Sequence, residues 1–347
     1  MPKPLRVALL ALVAAGSILG LVFGVLRHTV GRATPTAGPS ETPPQAASPT
    51  ASGTPTSTAS PTTAATATSR PTKTPRPPRP ILKIGPEIYG GTHTSLGKPP
   101  VVKLRNVSKE YVAEVRQEVG PDCLIVVRFE FDEPDMHAEP RQAAREWFER
   151  RRADMLAIKA AGGPNIAFET GANEVPDGQL DWYVAFSLEL IPRMHADGIR
   201  CVAGNPAVGT WSEKNWPKFK PVIAILKSDD FLGVHEYWAD EAQIDNRWYC
   251  GRWSIPEIAA VIGKTKIVVT ECGRESGLGH PDDPEQFLAE LEKYDALLRQ
   301  FPNVVGATAF TIDRNWGNYN LFGIWPQVVF RYSLTPTPKA PTPTPKR

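Results

Sequence analysis

Cysteine is scarce in this chain of 347 residues, and its scarcity closes several routes. Cys123, Cys201, Cys250 and Cys272 are too few to frame a disulfide-built module. None precedes Cys123, so a lipid-modified N-terminal cysteine is excluded. Histidine is thin as well. His28, His93, His137, His195, His235 and His280 are scattered, with no pair at ligand spacing, so neither a metal nor another cofactor is expected. There is no Gly-x-Ser-x-Gly elbow and no phosphate-cradling glycine loop. Excess positive charge is also missing where a nucleic-acid binder would need it. The chain nets +2, but 11 of its 39 Lys+Arg and one of its 37 Asp+Glu lie in residues 1–80 and 336–347. The remainder holds 28 bases against 36 acids, a net of −8, which excludes a nucleic-acid partner and suits a neutral or cationic ligand.

Composition divides what is present. Val7 to Leu26 is a run of twenty uncharged residues, about 30 Å of helix, which matches one hydrocarbon core. It exceeds the usual signal-peptide core of about 7–15 residues, and no small-residue cleavage site follows it. Residues 1–32 therefore read as a transmembrane anchor holding the remainder at the cell surface; cleavage would make the protein secreted. Residues 33–80 are Thr, Pro, Ser and Ala with almost no large apolar side chain, a disordered stalk open to O-glycosylation. A similar Pro/Thr-rich tail fills 335–347. Residues 81–334 carry nearly all the apolar and aromatic content, enough for one barrel-sized domain. A monomer is expected.

In that domain short apolar runs alternate with helical patterns, which favours parallel βα units. The candidate strands are Ile81–Ile84, Val101–Arg105, Cys123–Phe129, Ile166–Glu169, Arg200–Gly204, Phe231–Tyr237, Lys266–Glu271 and Val305–Thr311. Eight is the number that closes a (β/α)8 TIM barrel. Ser108 is placed to cap a helix that stops at Gly120, and Ala143–Ala161 stops at Gly162-Gly163. Asp181–Ala196 sets Trp182, Phe186, Leu190 and Met194 on one buried face, and Asp283-Pro284 opens a helix lined by Phe287, Leu291, Tyr294 and Leu298. Between Tyr89 and Pro100 there is no room for a full helix: either a loop replaces it or the first strand lies elsewhere.

Strand ends and the loops after them form the catalytic face of such a barrel. Converging there are Arg105, Asn173-Glu174 after strand four, Asn205 after strand five, His235, Tyr237 and Trp238 on strand six, Glu271 on strand seven, and Trp316 after strand eight. An Asn-Glu pair after strand four, a His-x-Tyr on strand six and a glutamate ending strand seven resemble the clan A glycoside hydrolases. The resemblance covers the whole folded region in order, though no single motif is long. It implies that Glu174 is the acid/base and Glu271 the nucleophile. It makes Asn173 a contact to the sugar 2-hydroxyl, Tyr237 and Arg105 hydrogen-bond donors to the nucleophile, and His235 a substrate or supporting contact. The sequence departs from the family where Val175 stands between Glu174 and Pro176, and where Glu169 is one residue further from Asn173 than is usual.

The chemistry agrees independently. Glycosidic cleavage needs a proton on the leaving oxygen and electron density at the anomeric carbon, and two carboxyl groups in unlike environments supply both. A retaining glycoside hydrolase acting on an extracellular polysaccharide or oligosaccharide is the expectation. A non-catalytic carbohydrate-binding barrel and a structural surface protein are the alternatives. Trp211, Trp238 and Trp316 offer flat faces for sugar rings. Plainer readings stand beside these. Arg105 can pair with Glu130, and His235 can be a satisfied core residue. Glu236 faces the helices, Glu130, Asp132 and Glu133 form a solvated acidic run, Trp248 and Trp253 anchor packing, and Trp182 is core. Cys123 and Cys201 read as small buried hydrophobes, while Cys250 and Cys272 lie near one end of the barrel and could pair.

Overall fold

Eight parallel strands close on one another in chain order in the computed structural model, which describes residues 81–91, 94–274, 283–313 and 320–332. The expected anchor, stalk and tail, and Trp316, lie outside these residues. Among the described residues no helix is long and apolar enough to cross a membrane.

The strands are β1 (Ile84–Tyr89), β2 (Val101–Arg105), β3 (Leu124–Arg128), β4 (Ile166–Glu169), β5 (Cys201–Gly204), β6 (Phe231–Trp238), β7 (Ile267–Arg274) and β8 (Val304–Ile312). Seven helices pack outside them among the described residues: α1 (Lys109–Val119), α2 (Pro140–Gly162), α3 (Leu180–Ala196), α4 (Trp216–Ile225), α5 (Pro256–Ile262), α6 (Pro284–Leu298) and α7 (Trp325–Tyr332). Each expected cap is in place. The Ser108 hydroxyl accepts from the Tyr111 amide, Asp283 accepts from the Glu285 amide, and Gly120 and Gly163 close α1 and α2 at positive φ. Phe186, Leu190 and Met194 are buried on α3, while Trp182 is only half-buried.

The first strand corrects the sequence reading. Residues 81–83 are not sheet: the Leu82 and Lys83 amides donate to Asp295 of α6 instead. The strand begins at Ile84 and runs through Gly85-Pro86, two residues that disguise it. A Cβ at Gly85 would lie 1.6 Å from the Val101 carbonyl oxygen, so only glycine fits against β2 there. Pro86 falls where the register with β8 shifts, a position that tolerates a missing donor. With the strand shifted, the described residues between β1 and β2 form a loop and no helix.

All four cysteines are free and buried. Cys272 faces the helices beside Cys250 and Glu236, and burial, with the nearby Glu236 charge, raises both thiols well above the ordinary thiol range.

Candidate active site

Alternation along each strand builds the site in layers. The barrel interior begins as an apolar plug of Val101, Leu124, Val126, Ala167, Val202, Phe231 and Val268. One pleat further toward the C-terminal rim the same strands turn ionic: Lys103 on β2, Arg128 on β3, Glu169 on β4, with Glu87 on β1. Glu271 joins that layer through a β-bulge. Val234 of β6 stands opposite Val269, but the next residue, His235, stands opposite Glu271, so Thr270 is an extra residue in β7. Strict alternation from Val268 inward would send Glu271 out toward the helices; the extra residue turns it into the barrel. The strand then continues to Arg274, so Glu271 lies within β7 and does not end it.

Donors converge on the Glu271 carboxylate. Oε1 accepts from Lys103 Nζ at 2.8 Å and Arg128 Nη1 at 3.2 Å; Oε2 accepts from the Tyr237 hydroxyl at 2.9 Å and lies 3.4 Å from His235 Nδ1. Burial by itself pushes this carboxyl up, but the charges of His235, Lys103 and Arg128 outweigh it and hold the group far below the usual carboxylate range. Burial would also strip Lys103 of its proton, yet Glu169 at 3.1 Å, Glu271, and Glu87 at 3.7 Å keep it charged. Burial and the Glu271 charge push the Tyr237 hydroxyl well above its ordinary value, so it stays a donor.

Glu174 reaches the same cleft from the loop after β4. That loop turns on three positive-φ residues, Gly171, Ala172 and Glu174 itself at φ 51. This left-handed path absorbs the longer spacing from Glu169. The extra Val175 is fully buried, and its carbonyl accepts from Trp211 Nε1 at 2.8 Å, so it anchors the loop from below. The Glu174 amide donates to the Asn205 carbonyl at 3.2 Å, and the Glu174 carboxylate bonds His235 Nδ1 at 2.8 Å. The Glu174 side chain is 40% exposed against 7% for Glu271. The facing carboxylate oxygens of Glu174 and Glu271, with the His235 nitrogen between them, lie within 4.8 Å of one another.

The remaining expected residues divide. Asn173 sits beside Glu174: its amide donates to Glu133 Oε2 at 3.1 Å, and its side-chain oxygen is buried with no protein partner. Asn205 is buried under the loop, its Oδ1 accepting from Thr270 Oγ1 at 2.8 Å. Arg105 does not hydrogen-bond Glu271. It lies one layer nearer the rim, paired with Glu87 and with Glu130 at 2.8 Å, and the donors to Glu271 are Lys103 and Arg128 in its place. Trp238 is no platform, because two residues beyond outward-facing Glu236 it also faces the helices. It is fully buried against Tyr294, with Nε1 donating to Glu290 at 2.9 Å. Trp211 is likewise buried, among Tyr183, Trp216 and Phe219. Conversely Trp248 is 42% exposed rather than a packing anchor, with the Arg252 guanidinium 4.8 Å over its ring, while Trp253 is buried. The acidic run is not simply solvated. Glu133 links Arg128, at 3.0 Å, to the Asn173 amide, and Asp132 accepts from Arg150 and Arg151.

Sequence reading missed Lys103 and Glu87 as members of the site and gave Arg128 and Glu169 no role in it. A signal existed: each is a charge set in or at the end of an apolar strand, such as Lys103 in VVKLR, and such a charge needs an internal partner. Glu87 shows the cost of the arrangement: burial pushes its carboxyl up to about 7 against the pull of Arg105 and Lys103. The Glu174–His235–Glu271 atoms are close enough to share a cation, as are those of His195, Cys201 and Asp230. Lys103 and Arg128 already fill Glu271 Oε1, however, and their charges oppose a metal. Asp230 is engaged by the Cys201 and Lys227 amides and by His195.

No protein-family profile matches the chain, and no curated protein does. Solved structures to which it is similar include a protein of Neocallimastix frontalis, at 13% identity over 73% of this chain and 69% of that one, TM-score 0.49. A GH128 endo-beta-1,3-glucanase of Amycolatopsis mediterranei matches at 17% identity over 72% and 98%, TM-score 0.48. A beta-glucuronidase of Faecalibacterium prausnitzii matches at 12% identity over 75% and 50%, TM-score 0.46.

Proposed function

We propose that the chain is a retaining glycoside hydrolase in which Glu271 is the nucleophile and Glu174 the acid/base. The supporting observation is the pair itself: one buried carboxylate held anionic, one half-exposed carboxyl facing it, and oxygens within 4.8 Å. Retaining enzymes set their two carboxyl groups about 5–5.5 Å apart, while inverting enzymes leave about 6.5–9.5 Å for a water. In the proposed cycle Glu174 gives its proton to the glycosidic oxygen as Glu271 attacks the anomeric carbon. The leaving sugar departs as an alcohol and a glycosyl ester forms on Glu271. Glu174, now a base, takes a proton from water, whose oxygen attacks the same carbon and releases Glu271. Asn173, adjacent to Glu174 in the chain, is the residue we assign to a sugar hydroxyl beside the bond being broken.

The substrate we infer is a polysaccharide or oligosaccharide outside the cell, with the apolar run Val7–Leu26 as the anchor. A panel of plant, fungal and bacterial wall polysaccharides, with reducing ends measured, tests the activity, and proton NMR of the first product anomer tests retention. Glu271→Gln should abolish turnover on every substrate. Glu174→Gln should abolish it except on aryl glycosides with good leaving groups, which need no proton. Wild-type turnover in either variant, or an inverted anomer, contradicts the assignment.

A further inference from the structure

Phe131 is the most exposed large apolar side chain among the described residues, at 79%. It stands three residues beyond β3, on the rim from which Arg128 reaches Glu271. A single exposed aromatic is ordinary on a protein surface, but this one ends a continuous series. The Tyr237 hydroxyl bonds Glu271, and the Phe310 ring meets the Tyr237 ring edge-on at 6.3 Å. The Arg105 guanidinium lies 5.0 Å over Phe310 and also 5.0 Å over Tyr89. Tyr89 meets Phe131 edge-on, with ring centroids 6.2 Å apart and planes at 88°. Beside Phe131 opens a groove of about 510 Å³ whose walls include Asn106, Ser108, Lys109, Glu110 and Asp154, a size usual for ligand sites.

From this series we infer that Phe131, supported by Tyr89, forms a second carbohydrate subsite, distal to the cleavage point, for a neutral glycan chain that runs out along the rims of β1 and β3. The inference rests on the hydrolase reading for its location, because the series starts at Glu271. The electron-rich face of an aromatic ring attracts the polarised axial C–H groups of a pyranose and covers its apolar face. Neutrality follows from the charges in the groove. Lys109 lies against Glu110 at 3.8 Å and Arg151 against Asp154 at 3.2 Å, so neither sign is left to select an ionic sugar. Polar groups around a single aromatic face are the usual equipment for binding hydroxyls at the edge of a ring stacked on it.

The test is affinity electrophoresis of the full-length Glu271→Gln protein, which cannot consume its ligand, in native gels. The gels contain laminarin, xylan, mannan or, as a polyanion, polygalacturonate. At least one neutral polymer should retard the protein. Adding Phe131→Ala should weaken that retardation about tenfold, and Phe131→Tyr, which keeps the face, should restore it, with all three proteins melting alike. The inference falls if no neutral polymer retards the protein, if Phe131→Ala is retarded as strongly as its parent, or if only polygalacturonate binds through Phe131. Reducing-end release by the wild-type chain is scored separately. Phe131-dependent binding without release overturns the hydrolase reading and keeps the subsite, whereas release with no Phe131-dependent binding does the reverse.

Discussion

Lys103 is the residue on which the buried ionic layer turns, and Lys103→Met tests that layer most directly. Its ammonium group serves three carboxylates, at 2.8 Å from Glu271, 3.1 Å from Glu169 and 3.7 Å from Glu87. At an effective dielectric of about 20 each contact is a gross attraction of roughly 4–6 kcal/mol. Desolvation of the charges offsets most of it, and removing one partner from a buried pair costs about 3–5 kcal/mol net. Methionine fills the volume but leaves the carboxylates repelling one another. Their folded-state affinity for protons must therefore rise. Glu87, which burial already pushes up to about 7, is the first to take a proton. A carboxyl raised in the folded state destabilises most where it is forced to ionise. The deficit of the variant in urea unfolding should thus be largest near pH 8 and shrink toward pH 5. In the wild type the depressed Glu271 contributes stability that is complete above the ordinary carboxyl range and lost only as pH falls through its folded value; in the variant that contribution shrinks. On an aryl glycoside, which isolates the cleavage point, the acidic limb of kcat/KM should move up by about one pH unit, since Arg128 and His235 remain beside Glu271. A variant with wild-type stability at pH 8 and an unmoved acidic limb would show that Lys103 neither neutralises this layer nor keeps Glu271 charged.

Gly233→Ala should break the support of Glu174 without touching a carboxylate. A Cβ there lands 1.8 Å from Asn205 Oδ1, and displacing Asn205 costs about 1–3 kcal/mol of stability and shifts the carbonyl that holds the Glu174 amide, so the melting temperature and kcat should fall together. Glu236 faces the helices with its carboxyl pushed by burial up to about 8, so wild-type stability should decline as pH rises from the ordinary carboxyl range through about 8. Glu236→Gln should flatten that decline when unfolding free energies are compared between pH 5 and pH 9.

Seven of the eight strands were legible because each is a short, largely apolar run bounded by turn residues, and the helices because their caps and glycine stops are local. The first strand was hidden for an equally local reason: Gly85-Pro86 reads as a turn, and only contact with the Val101 carbonyl and with β8 makes it sheet. The carboxylate pair was legible as residue types that close apolar, strand-like runs. Its orientation was not, because a bulge is a property of two strands and β7 alone does not reveal that Thr270 is the extra residue. Parity could have placed two other side chains. The alternation that sends Glu236 outward sends Trp238 outward as well, and Lys103 lies two residues from Arg105 on the same inward face. Exposure in loops has no such rule, so the buried Trp211 and exposed Trp248 were interchanged.

The ionic layer is poor design for stability alone. Lys103, Arg128, Glu87, Glu169 and Glu271, with Arg105 one layer nearer the rim, make three cations and three carboxylates nearly sealed from water, where the plug beneath them is Val, Leu, Ala and Phe. Well-packed apolar side chains in place of a buried ion pair often leave a protein as stable or more so, by about 1–4 kcal/mol. The arrangement makes sense if one member must be charged and bare at its outer face. Lys103 and Arg128 take Glu271 Oε1, whereas Oε2, bonded by Tyr237, faces Glu174 across the cleft. Glu169 and Glu87 then keep those cations from being surplus charge in a sealed interior, and Glu133 extends the network from Arg128 to the Asn173 amide. The network thus ties the loop bearing Glu174 to the donors that hold Glu271, so the separation of the two carboxylates is set by buried charge pairs as well as by the barrel wall.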